Sequence, residues 1–380
     1  MANHTRLNLK RSAGFGLVEV MVALAIGMFG VMVMMQVLSV SEEQRRTTTG
    51  GNDAMNEGVM ALYALQSDVR MAGYDIADTR LLGCGLTLRA GVVLSSVAPL
   101  GGMAPVTILP AGSTFPALFP TPDPNTDGLL VFYGGSTGTP AGVTANSGNQ
   151  VVTPSAFAVN DWVFQAASTR PNPCSLTLEQ VSAVPVPPST SLVVTLASGT
   201  ALVPNNILFN LGQSFKAVGY AVRNGSLTMC DYTDTTKNCT GAGNWTSIAN
   251  NIVSLRAQYG RDSTLPSMDG IVDVYDQTTP SVASTLGCDW TRISALRLAL
   301  VARSAQFEKT AVTTAPPVWD GTTAGNPTGS AASPIDLSST LSGTIPGITA
   351  GTEWQYYRYK VFQTVVPIRN ISWMGKATGC

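Results

Sequence analysis

Histidine is almost missing from this 380-residue chain, because His4 is the only one. Charged residues make up only 12% of the sequence, and no two cysteines have the Cys-x-x-Cys spacing of common zinc sites. No phosphate-binding loop motif occurs either. These absences argue against histidine-based, metal-assisted and nucleotide-dependent catalysis, so we expect no enzyme and no cofactor. The net charge of −1 also makes nucleic acid an improbable partner.

Charge is missing as well from the longest apolar run, which extends from Phe15 to Leu38 with Glu19 as its single exception. The run is long enough to cross a bilayer as a helix. A carboxylate inside such a segment costs roughly 2.5–3.5 kcal/mol at the bilayer centre and less near an end, so it is usually functional. Three basic residues and no acidic one precede the run. Because basic residues stay on the cytoplasmic side, we expect the long C-terminal part to lie outside.

The segment before the apolar run differs from an ordinary secretory signal, in which a small-residue cleavage site follows an apolar core of about 7–15 residues. Here the small residue, Gly14, comes first, and residues 11–19 are Arg-Ser-Ala-Gly-Phe-Gly-Leu-Val-Glu. This stretch resembles the prepilin signal of type IV pilins. The resemblance implies cleavage after Gly14 by a prepilin peptidase and N-methylation of Phe15. It also implies that Glu19 neutralises the terminal amine of a neighbouring subunit.

The proposed role of Glu19 has a physical basis, because an amine and a carboxylate buried together in lipid stabilise each other, whereas either one alone is penalised. One departure from the pilin pattern is Gly16, which stands where Thr is common. The alternative is a simple signal anchor in which Glu19 reaches back to the membrane surface. Loss of the leader, residues 1–14, removes its three cations and changes the net charge from −1 to −4.

A second helical pattern follows the apolar run. Gly50-Gly51 predicts an interruption, and from about Asn52 to Ala72 apolar residues recur at three- and four-residue steps. These apolar positions are Met55, Val59, Leu62, Leu65, Val69 and Ala72. Gly73 is a suitable helix stop. Together the two segments are typical of a long helix whose outer half packs on a globular head.

Strands dominate the rest of the chain. Stretches rich in β-branched and aromatic residues are predicted as strands at Leu129–Tyr133, Trp162–Ala166, Leu192–Leu196, Phe215–Val222 and Ile293–Arg303. Asn224-Gly225 predicts a hairpin turn. Residues 248–259 are interpreted as a helical turn leading into a strand, and residues 354–371 as a last strand broken near Pro367. Residues 170–190 and 311–352, rich in small residues and proline, are expected to be long loops.

Six cysteines in an exported chain favour disulfides, although six cysteines permit 15 connectivities. Cys230 and Cys239 flank a short polar segment and form the best predicted pair. The weaker expectation for the other four is Cys84 with Cys174 and Cys288 with Cys380.

Three blocks beyond the leader resemble the PilW family. The first is LQSDVRMAGYDIADTRLLGCG at residues 65–85, the second is NNIVSLRAQYGRD with DGIVDVYD within residues 250–276, and the third is YRYKVFQTVVPIRN at residues 357–370. PilW-like proteins are minor pilins, thought to form a small complex with other minor pilins and a large tip adhesin. The resemblance implies an α+β fold: a long N-terminal helix, half in the membrane and half amphipathic, packed on a mainly antiparallel β head with long loops. The head is expected to be related to J-type pseudopilins.

Two clusters allow more than one interpretation. The first is a group of carboxylates after Asp262, namely Asp269, Asp273 and Asp276. It is a weak calcium candidate, because calcium prefers several oxygen ligands and related pseudopilins can bind it. An ordinary turn is the favoured interpretation, as it is for Asp123, Asn125 and Asp127 before Gly128. Aromatic residues alternate with Arg358 and Lys360 near the C-terminus, at Trp354, Tyr356, Tyr357 and Tyr359. Such a pattern can stack nucleic acid bases, but a strand with one packed face is favoured.

The sequence therefore predicts a prepilin leader at residues 1–14, a transmembrane and assembly helix at 15–50 and an extracytoplasmic head at 51–380. We expect a minor pilin that primes type IV pilus assembly in the tip complex. The resemblance implies that its partners are other minor and major pilins, a tip adhesin and the prepilin peptidase. It also implies that the protein is held in the inner membrane with its head in the periplasm before it enters the pilus on the cell surface.

The alternatives are a J-like pseudopilin of type II secretion, a signal-anchored exported binding protein or hydrolase, and a minor pilin specialised for DNA capture. Whether the pili serve adhesion, twitching motility or DNA uptake stays open.

Overall fold

The computed structural model describes residue 14 and residues 16–89, 92–94, 100–137, 142–186, 189–282, 284–322, 335–338 and 348–372. The chain divides into two compact units, Met1–Gly51 and Asn52–Cys380. The first unit contains the apolar part of the first helix, and the second contains the rest of that helix and all of the strands.

Helix α1 extends from Leu17 to Met71 without a break, so the predicted interruption at Gly50-Gly51 is wrong. A glycine inside a helix costs only about 1 kcal/mol relative to alanine, which the neighbouring helix formers can outweigh. The helix ends where the sequence predicted, because Gly73 has a φ of +83°, the left-handed conformation that stops a helix. In its first unit α1 is long and apolar enough to cross a membrane.

The head part of α1 buries a stripe of small residues rather than the predicted large ones. Ala54, Gly58 and Ala61 face the protein, whereas Met55 and Val59 are 44% and 53% exposed. The reason is the close approach of the helix to a strand: a Cβ atom on Gly58 would lie 2.0 Å from Cε2 of Phe362. Toward its C-terminal end the stripe continues with Leu65, Val69 and Ala72, as predicted.

The head contains seventeen strands and two further short helices among the described residues. The first nine strands are β1 (Gly85–Arg89), β2 (Val92–Leu94), β3 (Val106–Leu109), β4 (Gly128–Tyr133), β5 (Val143–Asn146), β6 (Gln150–Val151), β7 (Trp162–Ala166), β8 (Ser175–Ala183) and β9 (Thr195–Leu196). The others are β10 (Ile207–Gly212), β11 (Lys216–Arg223), β12 (Ser226–Asp231), β13 (Thr246–Asn250), β14 (Ile252–Arg261), β15 (Val274–Asp276), β16 (Ile293–Arg303) and β17 (Tyr359–Pro367). The helices are α2 (Leu286–Thr291) and α3 (Arg369–Ser372).

The strands form three sheets. The largest has the order β2-β1-β8-β7-β10-β5-β6, with β9 added beside β8. A five-stranded sheet has the order β13-β12-β11-β4-β3, and a four-stranded sheet has the order β15-β14-β16-β17. Every pair is antiparallel except β1 with β8. The mainly antiparallel head and the long N-terminal helix agree with the predicted α+β architecture.

Separate hydrophobic cores lie on the two faces of the central sheets. Leu65 and Val69 of α1 share one core with Leu129 of β4 and Leu255 of β14. On the other face of the five-stranded sheet, Phe132 belongs to a second core together with side chains of the largest sheet. Because β4 is buried on both faces, its sequence GLLVFY is almost continuously apolar. A smaller core covers the other face of β14 and β16, with Trp319, Ile335 and Leu337 against them.

Several strand predictions are confirmed and others are wrong. Strands β4, β7, β11 and β16 lie where expected, and Asn224-Gly225 forms the turn between β11 and β12. The predicted helical turn at the start of residues 248–259 is wrong, because these residues belong to β13 and β14. The expected loop at 170–190 contains the nine-residue strand β8. Of the expected loop at 311–352, residues 323–334 and 339–347 lie outside the described part.

Two disulfides join parts of the head. Cys84 bonds to Cys174, which ties β1 to the start of β8, and Cys230 bonds to Cys239 beside β12. Both are pairs predicted from the sequence. Cys288 lies in α2, whereas Cys380 lies outside the described residues, so that pairing stays a prediction.

Candidate assembly site on the first helix

Glu19 lies in the first turn of α1, where the chain has just become helical. Its N–H donates to the carbonyl of Gly16 at 3.0 Å, and the N–H of Val20 donates to the same oxygen at 3.2 Å. Gly14 is exposed, and Phe15 lies outside the described residues. No ion pair involves Glu19 in the described part of the chain. Glu19 is therefore an exposed carboxylate on a helix that is otherwise uncharged as far as Glu42.

The surface around Glu19 is apolar on every side of the helix. Leu17, Met28, Phe29 and Met34 are each at least two-thirds exposed within their unit. A helix that is apolar all round is stable only in lipid or among other helices. Gly27 leaves a gap in this apolar surface, and nothing lies within 4 Å of a Cβ atom built on it. Small residues of this kind let helices approach closely in membranes.

A single carboxylate on an apolar helix surface can attract one cation, whereas the apolar side chains around it offer no partner to other polar groups. A carboxylate transferred into lipid without a partner is penalised by several kcal/mol, and a nearby amine offsets that penalty. No second titratable group accompanies Glu19 in the described apolar segment, so its carboxylate can pair with a cation there but has no neighbour for acid–base chemistry in that segment.

At its other end, α1 is attached to the head through Asp68. The hydroxyl of Tyr220 on β11 donates to the Asp68 carboxylate, and Tyr133 on β4 bonds to it too. Burial, together with the Asp68 charge, raises the pKa of both tyrosines well above the usual value. Both hydroxyls stay protonated and available as donors at any physiological pH.

The C-terminal end of α1 is capped from the far end of the chain. The Asn370 Nδ2 donates to the carbonyls of Ala72 at 3.0 Å and Met71 at 3.1 Å. The N–H of Gly73 donates to the carbonyl of Phe132 at 2.9 Å. Orphan carbonyls at a helix end need such partners. Residues from two of the PilW-like blocks therefore join the helix to the head.

Immediately beyond α1, Asp75 occupies a buried position. It accepts the N–H of Ser136 at 2.7 Å, and Tyr74 donates its hydroxyl to the carbonyl of Ser136 at 3.0 Å. Burial raises the pKa of Asp75 to about 6, although the Ser136 N–H lowers it in part. The Oδ1 atom of Asp75 is buried, and no group among the described residues forms a hydrogen bond with it.

Ser136 also stands in a Gly-x-Ser-x-Gly sequence, residues 134–138. In serine hydrolases this pattern forms a strand-to-helix turn beside a histidine. Here the described part of the segment follows β4 as a loop, and the only histidine is His4 in the leader. A Cβ on Gly134 would lie 2.5 Å from Asp75 Oδ2, so close packing explains the first glycine.

Asp127, expected in an ordinary turn, is a fully buried centre of contacts instead. It accepts Arg256 Nη1 at 3.1 Å, the N–H groups of Ala111 and Ala257 at 2.8 Å each, and Gln277 Nε2 at 2.8 Å. Burial raises the pKa of Asp127, and the charge of Arg256 opposes that change. Because these partners lie up to 150 residues away, no local sequence signal indicates this cluster.

The calcium candidates are not assembled as ligands. Asp276 pairs with Arg261 at 3.0 Å, and Asp273 accepts the N–H of Ser263 at 2.7 Å. Asp269 accepts the N–H of Ile271 at 2.9 Å, as in an ordinary turn. Within the described residues no three His, Cys, Asp or Glu side chains are placed to hold a metal ion.

The aromatic run near the C-terminus divides between two structures. Residues Glu353–Tyr356 form a short 3-10 helix, so the predicted strand begins only at Tyr359 and ends at Pro367. Phe307 stacks on Tyr356 at 5.2 Å and meets Tyr357 edge-on at 5.6 Å. These rings pack on one another, and the arrangement favours the packed interpretation over base stacking.

Comparisons with known proteins match two segments of the chain. Residues 9–35 match the prokaryotic N-terminal methylation motif, and residues 218–370 match Type IV Pilus-assembly protein W. No curated protein matches the sequence. Among solved structures, the type IV-like pilin TTHA1219 from Thermus thermophilus is 13% identical, with a TM-score of 0.29, over 83% of this chain and 96% of that chain. The first match covers the end of the predicted leader and the apolar start of α1, and the second covers nearly all of the chain from β11 to α3.

Proposed function

The chain is a type IV pilin-like protein of the PilW type, and from that premise we propose that it is a minor pilin that primes pilus assembly within the tip complex. The observation that carries the proposal is Glu19, one carboxylate on a helix whose next charged residue is Glu42. Such a charge is tolerated in lipid only with a cationic partner.

The partner is the terminal amine of a neighbouring pilin. After a prepilin peptidase cuts behind Gly14, the amine belongs to Phe15, and a methyl group leaves it basic. When two such helices bundle, each buried charge meets its opposite, and the desolvation penalty of both is offset. The remaining apolar surface of α1 contacts other helices. Recognition of the neighbouring pilin thus depends on one charge pair that is surrounded by apolar contacts.

The last part of α1, residues 52–71, belongs to the head. The Asp68 contacts with Tyr133 and Tyr220 attach the end of α1 to the five-stranded sheet, and the Asn370 cap attaches it to α3. We place the head in the periplasm while the apolar segment is in the inner membrane. Afterwards it lies at the pilus tip, beside other minor pilins and a tip adhesin. Catalysis has no part in this role.

The test is Glu19→Gln, which keeps shape and removes the charge. We expect the amount of this chain in sheared surface fibres to fall about tenfold or more, while its level in the membrane is retained. Glu42→Gln is the matched control: the ion pair of Glu42 with Arg46, at 3.6 Å, is exposed, so this variant should be incorporated normally. Mass spectrometry should find N-methylated Phe15 at the start of both variants. Normal incorporation of Glu19→Gln contradicts the proposal.

A further inference from the structure

Seven successive residues near the middle of α1 are poor helix formers. Residues 47–53 are Thr-Thr-Thr-Gly-Gly-Asn-Asp. Threonine loses side-chain freedom in a helix, Asn and Asp compete with the backbone for hydrogen bonds, and glycine loses the most backbone entropy. All four types stand low on the helix propensity scale. The helix is nevertheless continuous here, so its stability at this point depends on its surroundings.

Packing on the head gives these residues little support. Ala54, directly after them, is the first residue of α1 in a described hydrophobic core. Four of the seven residues are exposed, namely Thr48, Thr49, Gly51 and Asn52. Gly50 is buried but has no side chain to pack. Because most of the stability of a protein helix comes from the packing of one face, residues 47–53 lack the main source of helix stability.

The preceding residues support this part of the helix only weakly. The apolar stretch of α1 ends at Val40, and residues 41–46 are Ser-Glu-Glu-Gln-Arg-Arg, which are too charged to lie in hydrocarbon. Glu42 and Arg46 form an exposed ion pair at 3.6 Å, and such pairs contribute little. The Thr48 hydroxyl donates to the carbonyl of Gln44 at 3.0 Å, a contact that slightly destabilises a helix.

Close packing explains one glycine of this region and not another. A Cβ atom built on Gly58 would lie 2.0 Å from Cε2 of Phe362, so glycine is needed there for the close approach of β17. A Cβ atom built on Gly51 has nothing within 4 Å. Alanine would therefore fit at position 51, and what glycine changes there is the backbone, which unfolds more easily.

We propose that residues 47–53 form an opening segment, in which α1 unwinds locally and reversibly while residues 17–40 and 54–71 stay helical. Opening breaks backbone hydrogen bonds of the segment, and water replaces them because most of the segment is exposed. Seven residues span about 10 Å as a helix and up to about 23 Å when extended. The connection between the apolar segment and the head thus gains length and loses its stiffness.

This opening has a use in assembly, which rests on the proposed minor-pilin role. A subunit that leaves the membrane for a fibre exchanges lipid for neighbouring helices around its apolar segment. While the opening segment is unwound, the apolar segment can turn to fit those helices without moving the head. A stiff connection would transmit every turn to the head, whose own contacts would oppose it. Opening exposes no core residue, since the core begins at Ala54.

Hydrogen exchange of the full-length chain in detergent micelles tests the opening. We expect protection factors about tenfold lower for residues 47–53 than for residues 41–46, which are also exposed but contain better helix formers. The stiffened variant is Thr48→Ala/Thr49→Ala/Gly51→Ala, in which three exposed residues become the best helix former. Its protection factors at residues 47–53 should be about tenfold higher than those of the wild type.

The matched control is Ser41→Ala/Ser67→Ala, which adds alanine at exposed positions of the same helix outside the opening segment. Its protection factors at residues 47–53 should equal those of the wild type. Circular dichroism and thermal unfolding check that every variant is folded. Equal protection of residues 41–46 and 47–53 in the wild type overturns the opening, and so does unchanged protection in the stiffened variant.

Fibre content is scored separately. We expect the stiffened variant to reach sheared surface fibres at about one-tenth of the wild-type level, and the control variant at the normal level. Normal incorporation of the stiffened variant would refute the use of the opening in assembly. Absence of the wild-type chain itself from fibres contradicts the minor-pilin role, whereas the protection factors alone decide whether the segment opens.

Discussion

Single residues in this protein carry charge in places where the surroundings are apolar. Glu19 is exposed on an apolar helix, and Asp75 and Asp127 are buried in the head. The three carboxylates are stabilised differently. Asp127 accepts hydrogen bonds from the buried Arg256 and from backbone N–H groups, and Asp75 accepts one backbone N–H. Glu19 has no ion pair with any described residue. Their responses to pH and substitution should differ accordingly.

Asp75 gives a pH-dependent prediction. Its pKa is about 6 in the folded protein against an ordinary 3.8, because burial disfavours the charged form. An acid whose pKa is raised by folding is better tolerated when protonated, so stability falls as pH rises from about 4 to about 6. Asp75→Asn removes that penalty and still accepts the Ser136 N–H. We expect it to be more stable than the wild type by about 1–2 kcal/mol at pH 7.5 and equal at pH 4.

Denaturant unfolding of the full chain in detergent at the two pH values measures this difference. Asp75→Ala is the control, because it loses the acceptor for Ser136 and disfavours the φ of +63° at this position. It should be less stable than the wild type at both pH values. A wild-type advantage over Asp75→Asn at pH 7.5 would show that the carboxylate is stabilised there.

At the scale of elements, the packing of α1 on β17 depends on the absence of one side chain. Periodicity located the helix correctly but selected Met55 and Val59 as its buried face, whereas the structure buries Ala54, Gly58 and Ala61. Hydrophobic size is a poor guide where a helix lies unusually close to a sheet, since small residues then fill the contact.

The prediction for this contact compares two glycines of the same helix. Gly58→Ala places a Cβ 2.0 Å from the ring of Phe362, so the ring must move, at a cost of about 1–3 kcal/mol. Gly51→Ala meets no atom within 4 Å and should be neutral or stabilising by up to about 1 kcal/mol, because alanine favours helix. Denaturant unfolding of both variants tests the pair. Equal effects of the two substitutions would mean that the close approach at Gly58 does not matter.

For the whole molecule, the two described disulfides constrain very different lengths of chain. Cys84–Cys174 closes a separation of 90 residues and Cys230–Cys239 one of 9. Loop-closure entropy assigns about 4.5 kcal/mol to the long loop and about 2.5 kcal/mol to the short one. We therefore expect Cys84→Ala/Cys174→Ala to lower the free energy of unfolding by about 2 kcal/mol more than Cys230→Ala/Cys239→Ala does.

Thermal and denaturant unfolding of the two double variants tests this order. Each single variant serves as a control for the loss of packing, since all four cysteines are buried. If the short-loop variant is the less stable of the two, native packing around Cys230 and Cys239 outweighs chain entropy.

The positions of several strands followed from the sequence, but the order of the strands in the sheets and the layers did not. Local patterns located β4, β7, β11, β16 and the Asn224-Gly225 turn, because a strand and its turn are determined over a few residues. The Pro-rich interpretation of residues 170–190 missed β8, whose partners β1 and β7 come from distant parts of the chain. The 3-10 turn before β17 was also hidden, since aromatic residues favour strands on average and here pack on Phe307 instead.

The apolar segment with Glu19 and the PilW resemblance were determined by the sequence alone, because each depends on runs of adjacent residues whose chemistry needs no distant partner. The leader at residues 1–14 rests on the same kind of local pattern and stays a prediction. The resemblance is confirmed by the matches of residues 9–35 and 218–370. Only the tertiary structure decided that Asp127 meets Arg256, that Asn370 caps α1, and that β17 is the last strand of the four-stranded sheet. Those features join residues far apart in sequence, and hydrogen-bond partners and burial at such distances are fixed only when the layers pack.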